Sequence, residues 1–202
     1  MNVIVDYGMG NSGSILNMIR KIGDNAIISS SPEDINKASK LILPGVGSFD
    51  RGVENLRRYN LIDALDQKVL VEKTPILGIC LGMQLFTKSS EEGVLPGFGW
   101  FDADTVKFEI DKDLKVPHMG WNYVDVKDSD LLFKDFNERP RFYFVHSYHV
   151  QCRSSLDIIS SSSYGIDFVS AIRKGNIYAT QFHPEKSHKF GLRLMSNFLE
   201  LK

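Results

Sequence analysis

Cys80 and His183 are the residues whose type and surroundings suit nucleophilic chemistry. Cys80 stands between Gly78 and Gly82 in the run PILGICLGMQ at 75–84. An apolar segment after a proline suits a short buried strand, and LGMQLF beyond the cysteine suits the first turns of a helix. The G-x-C-x-G pattern therefore has the form of a nucleophile elbow with a thiol where an esterase carries a hydroxyl. A side chain on so sharp a turn sits on strained backbone, so its neighbours must be small. The start of a helix offers unpaired N–H groups and partial positive charge, which favour a thiolate. The competing reading of this window is a buried structural thiol.

A nucleophilic cysteine needs a base within hydrogen-bond reach, and the base needs a third group to orient it. The run QFHPE at 181–185 offers both. Read as a strand, it puts His183 and Glu185 on one side of the backbone, where the carboxylate would fix the imidazole tautomer. A surface histidine beside an incidental glutamate is the bland reading of the same run. An oxyanion hole would take one N–H from Leu81 and a second from a glycine-rich loop, which PGVG at 44–47 could supply. The remaining histidines are weaker candidates. His146 and His149, three apart on one expected strand, would face opposite ways, and His118 and His188 are lone polar residues near turns. No Cys/His spacing resembles a zinc site, so no metal is expected.

The elements that must position these groups follow from the apolar periodicity. Residues 2–7 form a first strand that breaks at GMGN (8–11), where a tight turn explains the glycines better than a dinucleotide cradle does. Ile15, Met18, Ile19 and Ile22 mark a helix ending at Gly23. Strands follow at 26–29, 40–43 and 74–79, with a helix start at Ser31-Pro32 and a helical region over 49–72 broken near 59–60. Strands alternating with helices argue for a mostly parallel sheet covered on both faces. Ligands in such sheets gather outside the carboxyl ends of the strands, which puts GMGN, PGVG and Cys80 along one edge. After Gly99 the texture becomes β-rich, with strands over 100–108, 121–126, 141–150 and 168–172, a hairpin turn at Gly175-Asn176, and a last helix over 189–201. The serine run at 160–163 reads as a strand end or loop.

The bulk numbers narrow the functional classes. The 202 residues suit one domain spanning 1–202, with a core that needs neither metal nor disulfide. A formal charge of −1 gives no electrostatic case for nucleic acid. No window approaches 18 consecutive apolar residues, so no membrane span is expected. The start MNVIVDYGMG lacks a basic region and reads as a strand, so a cytoplasmic protein with two free thiols, Cys80 and Cys152, is expected.

Taken in order, LPGVGSFD (43–50), GICLGMQ (78–84) and TQFHPEKS (180–187) resemble the triad-type, class I glutamine amidotransferases. DYGMGN (6–11), PHMGWN (117–122) and FVHSY (144–148) are similar to the glutaminase subunits of imidazole glycerol phosphate synthases within that family. The resemblance implies a flavodoxin-like α/β fold with a mixed, mostly parallel central sheet. It implies hydrolysis of L-glutamine to glutamate and ammonia without a cofactor. Cys80 would be the nucleophile, His183 the proton carrier and Glu185 its orienter. Val46 and Leu81 would offer the oxyanion N–H groups, and Gly45, Gly47, Gln84, Ser147 and Tyr148 would line the glutamine pocket. The glycines flanking Val46 would ease a peptide flip there, with Gly45→Ala as its test. The partner would be a (β/α)₈-barrel cyclase receiving ammonia in histidine biosynthesis, faced by His118, Met119, Trp121, Asn122 and Lys186. For Trp121 a core aromatic is the competing reading. HSYHV (146–150) and EKSHKFG (185–191) look more like paralogues that supply ammonia for an amidine on a surface-polysaccharide or nonulosonic-acid sugar, and SGSI (12–15) also departs from the histidine-pathway pattern. A catalytically silent docking module of the same fold is opposed by the intact Cys80, His183 and Glu185. A free-standing γ-glutamyl hydrolase is opposed by PHMGWN.

Overall fold

The computed structural model describes residues 1–110, 113–127 and 130–201. Strand and helix alternate through the first half: β1 (Asn2–Val5), α1 (Ser12–Ile22), β2 (Ala26–Ser29), α2 (Pro32–Asn36), β3 (Lys40–Gly45), α3 (Phe49–Arg58), α4 (Ile62–Asp66), β4 (Ile76–Cys80) and α5 (Leu81–Leu85). Local chemistry sets the boundaries. The Asn11 side chain accepts from Ser14 N at the start of α1, and Gly23, at φ +94°, closes it in the left-handed conformation. Ser31 caps α2, with Pro32 at its first position. The break expected near 59–60 falls where Asn60 takes a positive φ, and a π-helical turn, Gln67–Val71, extends α4. The second half holds β5 (Ser89–Ser90), β6 (Ala103–Lys107), β7 (His118–Tyr123), β8 (Asp125–Val126), β9 (Arg141–His146), β10 (Tyr148–Cys152), β11 (Ile158–Tyr164), β12 (Ile166–Lys174) and β13 (Ile177–Thr180). A final helix, α6 (His188–Glu200), follows.

The main sheet runs β2-β1-β3-β4-β13-β12-β10-β6-β5, with β11 and β8 added beside β12. From β2 to β13 the neighbours are parallel; β13, β12, β10 and β6 then pair antiparallel. This is the α/β architecture that the sequence predicts. Val3, Val5, Leu41 and Leu43 pack on the face covered by α3 and α4, whereas Ile4, Ile42, Leu77 and Ile79 pack on the face of α1 and α6. Both sides of β1, β3 and β4 are buried, so these strands read as apolar runs, whereas the edge strand β2 leaves Ile27 and Ile28 exposed.

Four expectations are corrected. The serine run lies inside β11, where the Ser160 and Ser170 hydroxyls bond to each other at 2.9 Å across the β11–β12 ladder, so a buried strand can carry these two polar side chains. Residues 141–150 do not form one strand: the chain breaks at Ser147, and β9 leaves the main sheet to pair with β7 while β10 stays in it. That break lets His146 and His149, expected to face apart, both pack against the Phe108 ring. Finally, the strand expected from residue 100 starts at Ala103, because the Trp100 indole N–H is held by Asp66 at 2.8 Å.

Candidate active site

Register brings the chemistry together. On the β3–β4 ladder Gly45 lies opposite Cys80, and on the β4–β13 ladder Thr180 lies opposite Ile79. The carboxyl ends of three adjacent parallel strands thus deliver the glycine loop, the cysteine and the segment 181–185 to one edge. Cys80 has φ +54° and ψ −106°, a conformation that costs an L-residue about 1–3 kcal/mol and that only a well-packed turn retains. Gly82 permits the turn, since a Cβ there would overlap the Leu43 carbonyl. The helix beyond the cysteine has only five residues, so its dipole gives the sulfur less help than the sequence suggests.

Cys80 is 7% exposed. Its sulfur accepts from Gln181 Nε2 at 3.6 Å and lies 3.9 Å from the Val145 carbonyl oxygen. His183 and Glu185 are both buried, and His183 Nδ1 bonds Glu185 Oε1 at 2.8 Å. They do not share a strand. His183 precedes a 3₁₀ turn, Pro184–Lys186, which folds the carboxylate back onto the ring; the proline favours this turn over strand pairing. The main chain of His183 is fixed twice. Its N–H donates to Tyr143 O at 2.9 Å, and its carbonyl accepts from Ser187 Oγ at 2.6 Å. Among the described residues His183 Nε2 has no hydrogen-bond partner. Burial alone would lower the pKa of this imidazole, but the nearby Cys80 sulfur and then Glu185 outweigh it and push it up to about 10. A sulfur near an imidazole whose other ring nitrogen is held by Glu185 is the arrangement that nucleophilic catalysis by a cysteine requires.

The other expected residues divide into several groups. Val46 is 50% exposed on the loop between Gly45 and Gly47, while Leu81 is buried. Gly45 is buried against Tyr7, and Gly47 takes φ +126°. Ser147 and Tyr148 are half-buried where β9 turns into β10. Gln84 is buried, and its Nε2 donates to Tyr148 O and to Gln181 Oε1, each at 3.3 Å. Of the residues expected on a partner face, Met119 is 61% and Trp121 44% exposed, and Lys186 is exposed. Trp121 is therefore no core aromatic; it stacks on His188 with ring centroids 5.4 Å apart. Asn122 is half-buried. His118 is corrected outright: it is 3% exposed, enclosed by Phe108, Phe144, Tyr164 and Phe168.

Two residues were not visible as site residues in the sequence. Gln181 lies in a quoted motif, but only the β13 register aims its amide at the sulfur. Tyr7 is buried beside Gly45, and among the described residues its hydroxyl is unpartnered; burial, then the Cys80 charge, holds it protonated. The second thiol differs from the first. Burial and Asp157 push Cys152 up to about 12, so it stays a thiol at neutral pH.

A family model described as glutamine amidotransferase class-I matches residues 3–201. A Methanococcus maripaludis protein named imidazole glycerol phosphate synthase subunit HisH 2 is 58% identical over 200 residues, covering 99% of each chain. A Pseudomonas aeruginosa protein of the same name is 49% identical over all of both chains. The solved structure of PurLQS from Thermotoga maritima superposes with a TM-score of 0.76, over 98% of this chain and 96% of that one. At 15% identity it speaks for fold alone.

Proposed function

Because this chain belongs to the class I glutamine amidotransferase family, we propose that Cys80, His183 and Glu185 hydrolyse L-glutamine and that the ammonia passes to a (β/α)₈-barrel cyclase. The observation that carries this reading is the imidazole of His183, held at Nδ1 by Glu185 and raised by the sulfur of Cys80. The sulfur attacks the side-chain amide carbon, and the main-chain N–H groups of Val46 and Leu81 receive the negative oxygen. His183 gives its Nε2 proton to the leaving nitrogen, the C–N bond breaks, and a γ-glutamyl thioester and ammonia result. Acylation also removes the thiolate charge that raised the imidazole. The same ring can then take a proton from water, whose oxygen displaces the thiol and releases glutamate. Gly45, Gly47, Ser147 and Tyr148 border the glutamine, with Gln84 behind them.

Relatives named as synthase subunits, 58% and 49% identical, support histidine biosynthesis as the pathway and a heterodimer in the cytoplasm as the working form. The cyclase would use the ammonia to close the imidazole ring of imidazole glycerol phosphate and release an aminoimidazole carboxamide ribotide. Among the described residues no helix is long and apolar enough to cross a membrane. The test is glutamate release by the purified chain with its barrel partner. Cys80→Ala is expected to abolish it, and a glutamine-like electrophile at pH 7 is expected to label Cys80 and spare Cys152. Turnover surviving in Cys80→Ala would refute the triad. Complementation of a histidine auxotroph lacking the glutaminase subunit tests the acceptor: growth is expected, and failure of a well-expressed active protein would transfer the chain to the sugar-amidine pathway.

A further inference from the structure

A row of hydrogen bonds joins the exposed strand β7 to the cysteine, and the proposed hydrolysis gives no part to the two imidazoles in it, His118 and His146. Asn122 Nδ2 lies 3.3 Å from His118 Nε2, His118 Nδ1 lies 3.0 Å from His146 Nε2, and His146 Nδ1 lies 2.7 Å from the Tyr148 carbonyl oxygen. That carbonyl also accepts from Gln84 Nε2, which donates in turn to Gln181 Oε1, and Gln181 Nε2 donates to Cys80 Sγ.

The direction of every bond in the imidazole row can be worked out from its two ends. At the inner end a carbonyl oxygen only accepts, so His146 Nδ1 carries the proton. A neutral imidazole has one N–H, so His146 Nε2 accepts and His118 Nδ1 donates, leaving His118 Nε2 as an acceptor. At the outer end the Asn122 amide is oriented independently, because its Oδ1 accepts from Tyr123 N at 2.8 Å and its Nδ2 donates to Ser163 O at 2.9 Å. The second Nδ2 hydrogen then points at His118 Nε2. Both ends demand the same arrangement, with both rings neutral and both in the Nδ1–H form. The surroundings agree: the rings sit among Phe108, Phe144, Tyr164 and Phe168, and burial lowers His118 to about 4 and His146 to about 3.

We propose that His118 and His146 are positioning residues for the glutaminase, holding the Tyr148 carbonyl where it orients Gln84 and, through Gln181, the Cys80 sulfur. This rests on Cys80 being the nucleophile. Tyr148 follows the Ser147 break and pairs with Lys107 of β6, but among the described residues the β10–β12 ladder holds only Val150 opposite Val169, so the His146 N–H supplies the Tyr148 carbonyl with a restraint that β12 does not.

Two measurements test this. Imidazole nitrogen shifts of the nitrogen-15-labelled full chain at pH 7 are expected to show Nδ1–H on both His118 and His146; an Nε2–H or doubly protonated form of either ring overturns the proposal. Glutamine kinetics with the barrel partner form the second arm. His146→Phe is expected to raise KM for glutamine by about tenfold, the usual scale for one buried hydrogen bond, with a smaller change in kcat. His146→Asn places an amide donor where Nδ1–H was, and is expected to recover most of the loss. A wild-type KM in folded His146→Phe, or no rescue by His146→Asn, overturns the proposal; if the phenylalanine variant does not fold, the nitrogen shifts decide. Failure of the underlying reading looks different: Cys80→Ala would still release glutamate, whatever the imidazole tautomers.

Discussion

At the residue scale, the proton on His183 is set by two opposed effects. Burial favours the neutral ring, while the sulfur and then Glu185 favour the charged one, and the charged form prevails. The folded-state pKa is about 10 against 6.5 for the free side chain, so the native chain binds the extra proton between those values. The stabilisation is complete below about pH 6.5 and is lost as the pH rises through about 10. Proton delivery to ammonia should therefore show no His183 inflection near neutrality, and its alkaline limb should approach pH 10. Cys80→Ala removes the largest raising cause and leaves burial in place, so His183 followed by NMR should titrate well below its wild-type value. An unchanged titration would show that the sulfur is not its partner. Cysteine, histidine and glutamate were legible because each sits in a distinctive local motif. Gln181 and Tyr7 were not, because strand register and a packed glycine bring them to the sulfur from elsewhere in the chain.

At the element scale, the elbow depends on close packing of β3, β4 and α5. A Cβ on Gly45 would lie 2.5 Å from the Tyr7 hydroxyl and 2.7 Å from Leu81 Cβ, and one on Gly82 would overlap the Leu43 carbonyl. Gly45→Ala therefore cannot test backbone freedom around Val46, as the sequence suggested, since it disturbs packing first. Gly47 is the informative position. At φ +126°, with only the methyl of the core residue Met9 close to a new Cβ, Gly47→Ala restricts the loop and displaces no more than the far end of one flexible side chain. Gly82→Ala should lower stability by about 1–3 kcal/mol or more, visible as a Tm lower by several degrees. Gly47→Ala should keep most of the Tm and lose partner-stimulated glutamate release. Retention of full stimulation by Gly47→Ala would remove the loop flip as a step. The alternating first half of the fold could be read from periodicity because its central strands, β1, β3 and β4, are buried on both faces. The second half resisted: a serine-rich strand carries no apolar pattern, and nothing in residues 141–150 announces that the chain changes sheets at Ser147.

At the scale of the whole molecule, the two ends of the sheet are unequal. A cavity of about 700 Å³ is bordered by Pro75, Gly175 and Asn176 at the start of β4 and β13, the end away from Cys80. The side of Cys80 and His183 instead carries exposed aromatic and basic side chains. Exposed Trp121 stacks on the His188 ring and has the Arg141 guanidinium 5.6 Å from its own ring, and Lys186 lies over the Tyr143 ring. Trp121 is opposite Tyr143 in the β7–β9 ladder, and Tyr143 bridges directly to His183. Trp121 is thus one strand pairing removed from the main chain of His183. An aromatic anchor of this kind, backed by cations and rimmed by polar groups, is the sort of residue that dominates a protein interface. Trp121→Ala should weaken binding of the barrel partner by about 1–3 kcal/mol in a calorimetric titration, while the isolated chain keeps its Tm. A variant that keeps both its affinity and its stimulation would place the interface elsewhere. One that binds normally but loses stimulation would assign the tryptophan to signalling through Tyr143, since affinity and the posture of His183 are separable quantities on this face.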